Sequence, residues 1–323
     1  MGAGMKNLVI LALVVAACGY FGAKLYLHHR VSSGLDDALL MAAPIADIRY
    51  DGVSSTMTGE LSIDGITARI SGFSDPLYVD KLSLITPGFF YLLKLDELGR
   101  SGADFEIPDS LGFSVEGVRA STSADYVHKL YSMGAKQSEA VDADEAAAVC
   151  TGKYGFSPET LRQLGYDDLV MGMRIAYRQD ERNLYVDISA DVEDMYALDM
   201  TLKLADRLTK ETLMRGNYRP RMVEGRLEYV DLSLNDRTAN LCERQGLSET
   251  EIIDAHIDAL RTSGIDNGIE FDDYVIEPYR EFLAGKSTFV LTAKPSEPIN
   301  LSQIDLYKPA DVPALLNLSG EAL

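Results

Sequence analysis

No tryptophan occurs in this chain of 323 residues, and only four histidines and three cysteines do. No Cys/His zinc spacing and no HExxH helix can be built from them. Phosphate loops are missing too: there is no GK[ST] run, and no GxGxxG follows a strand-like segment. The nearest text to a nucleophile elbow, Gly112 to Gly117 (GFSVEG), has the wrong spacing. The sequence therefore calls for no metal and no cofactor. Positive charge is short as well, 30 Lys and Arg against 50 Asp and Glu, leaving a formal net charge of -20. A body this acidic repels phosphate backbones, which excludes nucleic acid as a partner. It also gains nothing from long-range attraction to anionic headgroups.

What is present is globular composition, 46% hydrophobic and 25% charged, with 17 Tyr and 10 Phe supplying aromatic bulk. Residues Leu8 to Ala23 (LVILALVVAACGYFGA) carry no charge, and with Leu25 to Leu27 the run reaches the length of one bilayer crossing. Lys24 can snorkel toward headgroups and Tyr26 suits an interface. Two processed forms compete with this uncleaved anchor. Val15-Ala16-Ala17-Cys18 resembles a lipobox that would leave Cys18 lipidated, and Ala16 and Ala17 could serve an ordinary signal peptidase. The apolar text continues past Cys18 through Gly19, Tyr20, Phe21 and Gly22, which favours the anchor. The expected topology is single-pass in a bacterial inner membrane, with the body in the periplasm.

Cys150 and Cys242 remain for that body. In an exported chain two distant cysteines predict one disulfide, the alternative being two unrelated buried thiols. A second apolar run, Leu82 to Leu95 (LSLITPGFFYLLKL), is too short to span and is broken by Pro87-Gly88. It fits a strand, a turn and a buried piece. It also fits an apolar surface for lipid or a partner, made by Leu84, Ile85, Phe89, Phe90, Leu92 and Leu93.

Periodicity gives α+β as the fold class: an N-terminal transmembrane helix, a β-meander module and a C-terminal antiparallel sheet covered by helices. Leu61 and Ile63 alternate, then Ile66, Ala68 and Ile70 do, with Gly65 between them as a turn or bulge. Met171 to Tyr177, Leu184 to Val192 and Tyr196 to Leu204 each alternate apolar and polar, which predicts three antiparallel strands with one buried face. Val223 to Tyr229 makes a fourth. Helices are expected over 236–246 and 248–263, packed on that face, the second opened by a Ser248/Glu251 capping box. A short helix is expected from Pro278 to Leu283. The expected boundaries are 1–30 for the anchor, 31–134 for a β-rich module, 135–149 for an acidic linker and 150–323 for an α+β domain. Acidic residues are abundant, but neither Asp142-Asp144-Glu145 nor Asp266-Asn267-Gly268 has the spacing of a calcium loop. His256 falls on an apolar helix stripe, where a satisfied buried imidazole is expected.

The anchor, the text from Ile48 to Val53 and the text from Met57 to Ile66 (MTGELSIDGI) resemble the opening of AsmA-like and YdgA-like envelope proteins of Gram-negative bacteria. Leu227 to Gly246 (LEYVDLSLNDRTANLCERQG) is similar to a strand-and-helix unit of the YdgA-like kind. The resemblance implies a non-enzymatic role in envelope upkeep or lipid handling and supplies no catalytic residues. A structural or assembly subunit of an envelope complex is the rival expectation, and a carboxylate-dependent hydrolase the third.

Overall fold

The alternation along residues 60–85 and 110–205 becomes a single antiparallel sheet in the computed structural model of the protein. The structure describes residues 3–98, 107–135, 149–152, 156–214, 216 and 218–323, with the side chains of the first helix described from residue 22 onward. Strands β1 (Ala46–Arg49), β2 (Gly52–Ser55), β3 (Glu60–Ile70), β4 (Leu77–Ile85), β5 (Ser110–Ser121), β6 (Asp168–Gln179), β7 (Asn183–Val192), β8 (Tyr196–Ala205), β9 (Arg221–Asp231), β10 (Thr288–Ala293), β11 (Ile299–Asn300) and β12 (Leu318–Ala322) form it. Its order is β1-β3-β4-β5-β6-β7-β8-β9-β10-β12, with β2 on β3 and β11 on β9. Because β5 pairs with β6, one sheet runs through both expected modules. The acidic stretch 135–149 lies, apart from its two end residues, outside the described residues.

Helices α1 (Ala3–Ala42) and α2 (Phe89–Leu98) sit at the β1–β3 side, and α3 (Asp125–Ala135) and α4 (Pro158–Gln163) lie between β5 and β6 in the chain. After β8 come α5 (Lys210–Met214), α6 (Leu234–Arg244), α7 (Glu249–Asp266), α8 (Asp273–Leu283) and α9 (Val312–Leu316). Local signals explain their starts. Ser157 accepts from the Thr160 N–H and Pro158 sits at the first turn of α4. Ser248 and Glu251 close a capping box on α7.

Three expectations are corrected. Among the described residues no helix is long and apolar enough to cross a membrane, which overturns the transmembrane helix and with it the single-pass inner-membrane topology. The physical reason is visible in α1: its described part carries Lys24, His28, His29, Arg30, Asp36 and Asp37, and it runs on to Ala42 as part of the folded body. Its Leu27 packs with Phe89 and Leu92 of α2, against Leu61 of the sheet. Next, α7 packs on α6 and α8 rather than on the sheet, and α8 takes the covering role against β10 and β12. Finally, α8 begins at Asp273, with Asp272 as its cap accepting from Tyr274 N–H, and Pro278 lies inside it. Proline is so favoured at a helix start that it masks a helix already under way.

One irregularity keeps the apolar face continuous. Val115 and Val118 are three apart on β5, yet they pair with Met173 and Met171, which are two apart on regular β6. The same three-residue step occurs at Leu82/Val79 on β4 and Ile63/Ile66 on β3. Each of these strands thus holds one extra residue at the same level, and the register shifts where β5 meets β6. Gly65 and Gly117 take φ of 63° there. A Cβ on Gly65 would run into the carboxylate of Asp51, just before β2, and one on Gly117 into that of Asp80 on β4.

Candidate functional site

Cross-strand register assembles an apolar row over the sheet: Leu61, Leu84, Phe113, Ile175, Ile188, Met200 and Leu227 stand opposite one another in turn. A second row runs beside it through Leu82, Val115, Met173, Ala190 and Leu198. The reverse face carries Ser114, Arg174, Ser189, Asp199 and Glu228 at the intervening positions.

The apolar face is covered unevenly. Along β6, Met171 packs in the cluster of Leu161, Leu164, Val192 and Leu234, and Tyr177 packs in the cluster of Leu184, Leu204, Phe282 and Val312. Between them Met173 and Ile175 remain 43% and 42% exposed, and Phe113 beside Ile175 remains 41% exposed. On β7 and β8 the pattern repeats: Val192 and Tyr196 belong to the first cluster and Leu184, Val186, Leu202 and Leu204 to the second. Among the described residues Ile188, Ala190, Leu198 and Met200 belong to none of the buried clusters. A strip two residues wide is therefore left between two packed walls. It ends at Leu61 under α1 and α2, and at Tyr229, whose ring meets Phe282 of α8 edge-on at 5.6 Å.

Hydrogen-bonded polar groups stand in both walls. Tyr177 Oη donates to Pro108 C=O at 3.2 Å, and Gln179 Nε2 donates to the same oxygen at 3.3 Å. Burial, then the nearby Tyr91 and Asp109, push the Tyr177 hydroxyl up to about 12. In the opposite wall Tyr166 and Ser233 share a 2.8 Å hydrogen bond, with the Arg237 guanidinium 4.2 Å from the Tyr166 ring centre.

On the reverse face Lys81 Nζ donates to Glu60 Oε1 at 2.5 Å, and Ser62 and Ser83 share a 2.9 Å hydrogen bond beside it. The pair resembles a serine–lysine arrangement, but the hydrogen bond to Glu60 raises the Lys81 pKa. A lysine held protonated cannot accept a serine proton. His256 is buried on α7, its pKa lowered by burial and raised by a hydrogen bond to the Val149 backbone. It lines a cavity of about 40 Å³ with Asn235, Thr238 and Glu249, a space for water rather than for a substrate. Among the described residues no group of three or more His, Cys, Asp or Glu could hold a metal ion.

Cys150 and Cys242 lie 2.00 Å apart at sulfur, and both are buried beside Ile252. The side chain of Cys18, the residue of the lipobox reading, lies outside the described side chains. Of the six residues expected as an apolar contact surface, Leu84 alone lies on the strip. Ile85 is on the reverse face beside Gly112, Phe89 and Leu92 are core, and Leu93 packs against them. Phe90 points away, 79% exposed. Leu92→Ala should therefore cost about 2–5 kcal/mol of unfolding free energy, while Phe90→Ala stays within about 0.5 kcal/mol. Urea denaturation of the two variants checks this, and equal losses would contradict the placement of α2.

Sequence reading missed Phe113, Met173 and Ile175. Their signal was an alternation in three adjacent strands longer than one helix can cover.

A family model described only as "Uncharacterized protein" matches residues 189–322, which run from the end of β7 through β12. No curated protein matches the chain.

Proposed function

We propose that this protein is a binding protein that handles lipid or another apolar molecule on the strip of sheet between the two packed walls. The observation that carries the reading is the exposure of Phe113, Met173 and Ile175, at 41%, 43% and 42%, in the middle of an otherwise covered apolar face. An apolar surface left open at the centre of a sheet costs solubility and invites association unless something occupies it. The tyrosine hydroxyls in the two walls are already hydrogen-bonded, so the ligand need supply no polar partner for them. No reacting group is asked of the protein in this role.

The test is titration with N-phenyl-1-naphthylamine, an uncharged probe that brightens in apolar surroundings. Saturable binding at one probe per chain is expected, and Ile175→Glu should abolish it. Because Ile175 is 42% exposed and sits in no core cluster, that variant should melt within a few degrees of the parent. Undiminished binding in Ile175→Glu, or no saturable binding by the parent, would sink the proposal.

A further inference from the structure

We infer that the strip takes one extended hydrocarbon chain, laid across the strands, from a lipid whose head group is not anionic. The inference rests on the binding reading above and specifies its ligand.

Shape comes first. From Leu84 on β4 to Met200 on β8 there are four interstrand steps, about 19 Å at ~4.8 Å each. Across that direction the two residue rows stand about 7 Å apart, and the wall residues Met171 and Tyr177 on β6 about 20 Å apart, at ~3.4 Å per residue. A floor of that length fits an extended polymethylene chain of roughly 15 carbons, at about 1.2 Å of advance per bond.

Chemistry narrows the occupant further. Each floor strand from β4 to β8 has a neighbour on both sides, so its backbone is already paired. A peptide strand would find no free edge to extend, and its own amides would meet only aliphatic, Met and Phe side chains. A second copy brings another net charge of -20 to the same place, which opposes face-to-face pairing. The same field discriminates among lipids: at equal chain length, a zwitterionic or neutral head group is favoured over an anionic one.

The experiment uses the full chain and two series of single-chain lipids, monoacyl phosphocholines and monoacyl phosphoglycerols of 8 to 16 carbons, kept below their micelle concentrations. Each displaces N-phenyl-1-naphthylamine. Affinity should rise about three- to fourfold per added carbon, as for a methylene leaving water, and level off near the length of the floor. Phosphocholines should bind more tightly than phosphoglycerols of equal length, with the gap shrinking as salt is added. Ala190→Phe, which fills the centre of the floor, should weaken the longest lipids at least tenfold. Ser189→Phe, one residue along on the reverse face, should leave them unchanged.

If lipids bind but prefer the anionic series, or ignore chain length, or ignore Ala190→Phe, the chain-on-floor inference is overturned while apolar binding stands. If neither lipid nor the uncharged probe binds, and sedimentation shows dimers or a bound protein instead, the binding reading itself is overturned.

Discussion

Phe282→Ala should lower the unfolding free energy by about 3–5 kcal/mol, among the largest effects of any single truncation in the molecule. Phe282 is 3% exposed and holds α8 to the end of the sheet. Its ring meets Tyr229 edge-on at 5.6 Å, stacks near Tyr279 at 6.1 Å and tilts against Phe289 at 6.0 Å. Three rings lose a partner at once, and rigid rings cannot collapse into the space left behind. Phe282→Leu refills part of that volume and should recover more than half of the loss. Urea unfolding with an unchanged slope is the measurement. A loss below about 1 kcal/mol would show that α8 is not held by this cluster.

Cys150→Ala combined with Cys242→Ala should destabilise by about 2–5 kcal/mol and lower the melting temperature by on the order of 10 °C. The two residues are 92 apart in sequence, so freeing them returns a long loop's entropy to the unfolded chain. That loop contains β6, β7, β8 and β9, most of the floor of the candidate site. The same fall should appear when the native protein is melted with a thiol reductant, and should be absent when the double variant is so treated. Equal melting of parent and variant would mean that the link adds nothing to the fold.

The strands β6 to β9 were plain in the sequence because a sheet with one apolar face writes a period of two. Met171 to Tyr177 and Leu184 to Val192 could hardly fold otherwise. Asp180 closes the hairpin between them by accepting from the N–H groups of Arg182 and Asn183, which holds its carboxyl down to about 2. The open floor was not legible, because alternation marks which face is apolar and says nothing of what lies above it. Ile175 and Leu184 look alike in sequence, and only the paths of α8, α9 and the segment after β11 separate them. The N-terminal run misled for a related reason. Counting apolar residues from Leu8 fits a bilayer, but the helix does not stop where the count stops; it continues past Arg30 to Ala42. Helix length is set by where the backbone next finds a breaker, and none stands before Pro44.

The extra residue shared by β3, β4 and β5 has a consequence for how this part of the chain can change. In phase language, each strand advances by half a cycle at the same level, and the three shifts cancel between neighbours. Losing Gly65 alone would put Ile66, Ala68 and Ile70 half a cycle out, turning them to the reverse face while Val79 and Val118 stayed. Only a simultaneous deletion in all three strands restores agreement, so the N-terminal half of the sheet is locked in length, free to vary its side chains but not its count.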